Sequence, residues 1–105
     1  MNESEFDQRA TATLLDIEQA IEASGADIDF ENSGGILTLE FANGTKIIVN
    51  KQGAAKQLWV AAKSGGFHYG FNGKQWINDQ SGGELMHELA RCIHEQSGEE
   101  VALVG

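Results

Sequence analysis

Apolar residues recur at steps of three and four in two stretches near the ends of the chain. This spacing predicts two amphipathic helices. Ser4 and Ser81 are each followed three residues later by an acid, a pattern that resembles a capping box at the start of each helix. Gly25 and Gly98 are placed to end the helices. The apolar stripe of the first helix is Phe6, Ala10, Leu14, Ile17 and Ile21, and that of the second is Leu85, Leu89, Cys92 and Ile93.

Between these helices the apolar residues alternate with polar ones, which predicts short β-strands. Asn43-Gly44 and Asn72-Gly73 indicate type I′ hairpin turns, and Gly65-Gly66 indicates a further turn. Short connections make neighbouring strands antiparallel. We therefore expect one α+β domain over residues 1–105, a two-layer sandwich with both helices on one face of an antiparallel sheet. The predicted strands lie near residues 27–32, 36–41, 45–50, 57–63, 66–72 and 75–79.

The same alternation assigns side chains to the two faces of the sheet. Leu58 and Val60 belong to the apolar set, so Trp59 points to the opposite, solvated face together with Gln57. His68 is predicted on that open face for the same reason. Tryptophan is enriched at binding hot spots because it offers a large, rigid contact with a polar handle. Trp59 therefore indicates an interaction surface, although single exposed apolar residues are also normal.

Charge is partitioned along the chain. Residues 1–40 contain ten of the sixteen carboxylates, residues 41–78 contain five lysines and no acid, and residues 79–105 contain the remaining six acids. A formal net charge of -9 argues against binding to nucleic acid or anionic lipid, since both require a basic surface. The polar, acidic start lacks the features of a targeting signal. A single cysteine suits a reducing compartment, so we expect a cytoplasmic protein that does not enter membranes.

The acids of the first helix and first strand are candidate ligands for a cation. Glu18 and Glu22 lie on one flank of the helix, whereas Asp16 lies on the other. Asp27, Asp29 and Glu31 point from one strand face at a two-residue repeat. Carboxylate oxygens of this kind suit hard cations, including iron, manganese, calcium and magnesium. The sequence contains no preformed cage, so it predicts weak and exposed binding, and a merely solvated acidic face is the alternative.

Catalytic signals are weak. His87 and His94 are seven residues apart on the second helix, too far for one ion. Cys92 falls on the apolar stripe, which favours a buried thiol over a nucleophile. We find no catalytic triad order, phosphate-binding loop or dinucleotide motif, and we do not expect an enzyme.

Several segments together resemble the frataxin family, and in particular its bacterial branch. They are Gly34-Gly35-Ile36-Leu37-Thr38-Leu39-Glu40-Phe41, Asn50-Lys51-Gln52, Gln57-Leu58-Trp59, Tyr69, Trp76, Leu85 and His87-Glu88-Leu89, and they cover nearly the whole chain. The family's fold is a two-helix sandwich on an antiparallel sheet, in agreement with the periodicity.

The resemblance implies an accessory and regulatory role in iron–sulfur cluster assembly, with Fe²⁺ and Fe³⁺ bound weakly. It also implies docking on the cysteine desulfurase and the scaffold protein. By position, the iron-binding acidic ridge is Asp16, Glu18, Glu22, Asp27, Asp29 and Glu31. The docking residues are Asn50, Gln52, Gln57, Trp59 and His68. We expect a monomer, with iron-dependent association conceivable through the open sheet edge.

Two alternatives remain open from the sequence. The acids could contact only protein, which would make this a metal-independent interaction module. A ferroxidase or iron-storage protein is the other, but it generally needs a buried di-iron site with Glu-x-x-His motifs on facing helices. Glu84-Leu85-Met86-His87 matches that short motif only once.

Overall fold

In a computed structural model of the protein, residues 1–103 are described and form two α-helices and six β-strands. The domain predicted over residues 1–105 extends two residues beyond this range. Within residues 1–103, neither helix combines the length and the apolarity needed to cross a bilayer. The elements are α1 (Glu3–Ser24), β1 (Ile28–Ser33), β2 (Ile36–Phe41), β3 (Lys46–Gln52), β4 (Gln57–Ala62), β5 (Gly65–Phe71), β6 (Trp76–Asn78) and α2 (Leu85–Ser97).

The strands form one antiparallel sheet in sequence order, so β1 lies at one edge and β6 at the other among the described residues. Both helices bury their apolar stripes on the same sheet face, in one core cluster with the inward residues of the strands. The prediction of an α+β sandwich with one open sheet face is confirmed. Strand residues in this core include Leu37, Leu39, Ile47, Val49, Leu58, Val60 and Tyr69.

Both predicted N-terminal caps are wrong, whereas both C-terminal glycines are confirmed. Asn2 caps α1, and its side chain forms a capping box with Glu5. The N-cap of α2 is Glu84 itself, whose carboxylate accepts hydrogen bonds from the backbone N–H groups of Met86 and His87. Ser81 does not cap α2 because it lies in the preceding loop, where its hydroxyl donates to Glu88 Oε2 at 2.9 Å.

The hairpin turns also differ from the type I′ prediction. Asn43 and Asn72 do not adopt the left-handed conformation, because each side chain instead accepts a hydrogen bond from the backbone N–H two residues on. Phe41 N–H donates to Thr45 O at 2.9 Å, which closes a three-residue loop with Gly44 at φ 85°. In the β4–β5 hairpin Ala62 pairs with Gly65, so the predicted Gly65-Gly66 turn instead lies at residues 63–64.

A hydrogen-bonded carboxylate joins α2 to the sheet. Glu88 Oε1 accepts from the Tyr69 hydroxyl at 2.5 Å and from Asn78 Nδ2 at 3.0 Å. Partial burial opposes ionisation of Glu88, but the hydrogen bonds from Tyr69, Asn78 and Ser81 outweigh it and lower the pKa of this carboxyl. Burial and the bond to Glu88 raise the pKa of Tyr69, so its hydroxyl remains a donor. This network ties the start of α2 to β5 and β6.

Leu14 and Leu15 give a direct test of which face of α1 is buried. Leu14 is 2% exposed and Leu15 is 50% exposed. Leu14→Ala should lower the free energy of unfolding by about 2–5 kcal/mol, because it leaves a cavity between α1 and the sheet. Leu15→Ala should change it by less than about 0.5 kcal/mol. Urea denaturation measures both, and equal losses from the two variants would contradict the packing.

Glu88→Gln should destabilise the protein by about 1–3 kcal/mol at neutral pH, because it removes the charged acceptor of three hydrogen bonds. The folded-state pKa of Glu88 is lowered, so its stabilisation is fully present above the unfolded-state pKa and is lost as pH falls through the folded value. The stability difference between wild type and variant should therefore be constant above pH ~5.5 and shrink below pH ~4.5. Denaturant unfolding across this range measures it, and a difference that grows on acidification would refute the assignment.

Candidate functional site

The predicted docking residues lie together on the open face of the sheet. Antiparallel register places Asn50 opposite Trp59 and Trp59 opposite His68, so these side chains form one row across β3, β4 and β5. Gln52 lies opposite Gln57 in the next row. Strand alternation places Gln57, Trp59 and His68 on the open face, as the sequence predicted, and the strand register brings them next to Asn50 and Gln52.

Trp59 is the centre of this row and is held by two side chains. Its indole stacks on the His68 ring with centroids 4.4 Å apart and planes inclined by 14°. Its Nε1 donates a hydrogen bond to Gln57 Oε1 at 2.9 Å. His68 Nδ1 lies 3.9 Å from Asp79 Oδ2. The indole is only partly buried, so a rigid aromatic surface with amide neighbours faces solvent.

Residues that the sequence analysis missed enlarge this surface. Ile36 extends the row on β2, opposite Asn50, and is 44% exposed. Ile48 and Ile77 are partly exposed on the same face, where Ile48 pairs with Thr38 and Ala61. The strand alternation that identified Trp59 also places Ile36 opposite in phase to Leu37, so this signal was available. We call Ile36, Ile48, Asn50, Gln52, Gln57, Trp59, His68 and Ile77 the docking face.

On the helix side of β1, the acidic ridge includes Glu18 and Glu22. Asn32 Nδ2 donates a hydrogen bond to Glu18 Oε2 at 2.9 Å, which joins α1 directly to the edge strand. Glu22 lies one helical turn further along the same flank and is exposed. Asn32 therefore belongs to this part of the surface, although no sequence signal marked it.

On the other side of β1, Asp29 and Glu31 point to the open face. They lie in register with Glu40 and Thr38 of β2 and line a surface cavity of about 320 Å³. Lys46 lies in the same cavity, and its Nζ is 3.6 Å from Glu40 Oε2. This group adjoins the docking face, because Thr38 and Ile48 are cross-strand partners. Glu40 was not predicted as a site residue either, although strand alternation places it on the open face.

Asp27 and Asp16 lie apart from these two groups. Asp27 is in the α1–β1 connection, where its backbone N–H donates to Glu99 Oε2 at 2.5 Å and brings in an acid from beyond α2. Asp16 faces the opposite flank of α1 from Glu18, since two residues turn a helix by about 200°. There it lines a cavity with residues of the β5–β6 hairpin and the start of α2. The structure therefore does not bring Asp16 together with Glu18.

Among residues 1–103, no group of three or more acids, histidines or cysteines lies close enough to hold a metal ion. The acids instead flank both sides of the edge strand, and an ion at this surface would be held by one or two carboxylates and water. Such coordination suits a weakly bound, exchangeable cation more than a resident cofactor.

Comparison with known proteins identifies the class to which this arrangement belongs. The family model described as the frataxin-like domain matches residues 1–99. The chain belongs to the frataxin-like family.

Two bacterial relatives carry the name "Iron-sulfur cluster assembly protein CyaY". The protein of Psychromonas ingrahamii is 46% identical over 101 residues, covering 96% of each chain. That of Paraburkholderia phymatum is 46% identical over 103 residues, covering 98% of each. The solved structure of frataxin from Psychromonas ingrahamii matches all of this chain with a TM-score of 0.95 and 45% identity. The solved structure of yeast frataxin matches with a TM-score of 0.60 and 26% identity. This match covers 90% of the present chain and 81% of the yeast chain.

Proposed function

We propose that this protein is an iron-binding accessory protein of bacterial iron–sulfur cluster assembly that works in the cytoplasm without a turnover of its own. The names of its bacterial relatives support the assembly role. The observation that carries the proposal is the junction of two surfaces on one sheet face. Asp29 and Glu31 pair with Glu40 and Thr38 of β2, and Thr38 in turn pairs with Ile48 of the docking face.

Iron is cargo in this proposal. Asp29, Glu31 and Glu40 on the open side of β1, and Glu18 and Glu22 on its helix side, offer hard oxygen ligands for Fe²⁺ and Fe³⁺. Because the acids are spread along the strand, each ion keeps much of its water and exchanges readily. Bridging of two edge strands by an ion gives a route to iron-dependent association of an otherwise monomeric protein.

Docking on the cysteine desulfurase and its scaffold protein is the second part of the proposal. The rigid Trp59 indole has the properties of an interface anchor, and Gln57 and Asn50 provide hydrogen-bonding groups around it. The negative charge of the acids on α1 and β1 would steer the protein towards a basic partner surface, with association slowing as salt rises. The ridge would therefore set the association rate, and Trp59 would set the lifetime of the complex.

A metal-independent interaction module is the second candidate function. It is favoured by the spread of the acids, since no three potential ligands converge among residues 1–103. A ferroxidase is less well supported, because the Glu84 carboxylate of the Glu-x-x-His motif is engaged in capping α2. Saturable heat on anaerobic titration with ferrous iron would exclude the interaction module, and docking without any such heat would favour it.

Charge-reversing pairs separate the two sides of the ridge. We expect Glu18→Lys/Glu22→Lys and Asp29→Lys/Glu31→Lys each to weaken ferrous iron binding by about tenfold, because each removes one set of oxygen ligands. This corresponds to about 1.4 kcal/mol. Glu95→Lys/Glu100→Lys introduces the same charge change at exposed positions elsewhere and is the matched control. Calorimetry under anaerobic conditions measures the affinities. Equal losses of affinity in all three variants would show that the effect comes from net charge and not from the removed ligands.

Trp59→Ala should weaken binding to the cysteine desulfurase by about thirtyfold, the loss of roughly 2 kcal/mol expected of an interface anchor. Dissociation should accelerate more than association slows. Leu15→Ala removes an exposed apolar side chain from α1, away from the docking face, and should leave affinity unchanged. Surface plasmon resonance measures both rates. Wild-type affinity of the Trp59 variant would exclude docking through this face.

A further inference from the structure

His68 stacks on an indole and has a carboxylate near its ring. One side of its ring stacks on Trp59 with centroids 4.4 Å apart. Its Nδ1 lies 3.9 Å from the carboxylate of Asp79, the residue that follows β6. His68 is itself exposed, so its own burial does not hold it in this orientation. The position of Asp79 therefore bears directly on the shape of the docking face.

Asp79 is placed by backbone contacts and by the buried residue before it. Its N–H donates to His68 O at 3.0 Å, which extends the β5–β6 pairing by one residue. Asn78 is 5% exposed, and its Oδ1 accepts from the N–H groups of Gln80 at 2.9 Å and Ser81 at 3.1 Å. The Asn78 side chain thus folds the chain immediately after Asp79 into a fixed turn.

Glu88 holds this turn from α2. One carboxylate oxygen accepts a hydrogen bond from Asn78 Nδ2, and the other accepts one from the Ser81 hydroxyl. The same carboxylate is therefore bonded to both ends of the turn. Gly83 permits this approach, because a Cβ at that position would lie 2.0 Å from Glu88 Oε2. The carboxylate lies on the core side of the sheet, opposite the docking face.

We propose that Glu88 is a positioning residue for the docking face: by holding Asn78 and Ser81 it sets Asp79 beside His68 and keeps the imidazole stacked on Trp59. The proposal extends the docking function proposed above and rests on it for its biological meaning. A stack that is already formed in the free protein spares the ordering of these side chains on binding.

The test uses the chemical shifts of the His68 ring protons in the isolated protein, because the Trp59 ring current shifts them only while the rings are stacked. Trp59→Ala provides the unstacked reference shift. Asp79→Asn and Glu88→Gln should both move the His68 shifts towards that reference, and Ser81→Ala should move them less in the same direction. Glu95→Gln is the matched control, an exposed carboxylate on the same helix that should leave them unchanged. Desulfurase affinity should fall about threefold in Asp79→Asn and Glu88→Gln.

Unchanged His68 shifts in a folded Glu88→Gln variant would overturn the proposal. If that variant does not fold, unchanged shifts in both Asp79→Asn and Ser81→Ala, which alter exposed residues, would overturn it equally. The docking function can fail separately: wild-type desulfurase affinity of Trp59→Ala would refute docking, whereas the His68 shifts would still decide whether Glu88 positions the stack.

Discussion

Both helices pack on the same face of one antiparallel sheet, and this constraint determines which residues remain available for function. The stripes of α1 and α2 enclose the inward side chains of the strands in a single core. Every second strand residue is therefore committed to packing, and the residues between them face solvent. Trp59, His68 and Ile36 are accessible because Leu58, Tyr69 and Leu37 are buried. The docking face therefore consists of strand residues that do not take part in the core.

The position of β1 at the sheet edge determines the properties of the acids on and beside this strand. An edge strand with charged side chains resists pairing with another chain, which protects the protein from aggregation. Acids lie on both sides of this strand, with Glu18 of α1 on the helix side and Asp29 of β1 on the open side. Under the proposed function, this geometry would bind cations weakly over a wide area. It also places Asp29 and Glu31 on the sheet face that carries the docking face, where one basic partner could contact both.

The element types and the sheet faces could be predicted from sequence because they follow from periodicity. Alternation places Trp59 and His68 on the same face, and the register of the β4–β5 hairpin then sets them opposite each other. The N-terminal caps and the turns could not be predicted in the same way, since Asn2, Asn43 and Asn72 act through local hydrogen bonds that compete with the expected motifs.

Periodicity also could not predict contacts between residues that are distant in sequence. The bond from Asn32 to Glu18 and that from Asp27 to Glu99 depend on how α1 and the segment after α2 lie against the edge strand. Helical geometry is sufficient to predict that Asp16 and Glu18 lie apart. Only the family resemblance groups them. Glu88 carried no functional signal in the sequence, because its role depends on three hydrogen bonds formed only after α2 packs.

We infer that the docking face, with the adjoining open side of β1, is the surface through which this protein acts. Nuclear magnetic resonance cross-saturation from an unlabelled cysteine desulfurase to the isotope-labelled protein tests it most directly. We expect saturation to reach the Trp59 indole N–H and the amides of β3 to β5 and to spare the outer surface of α2 around His87 and Arg91. Saturation concentrated on α2, with the Trp59 indole unaffected, would contradict it.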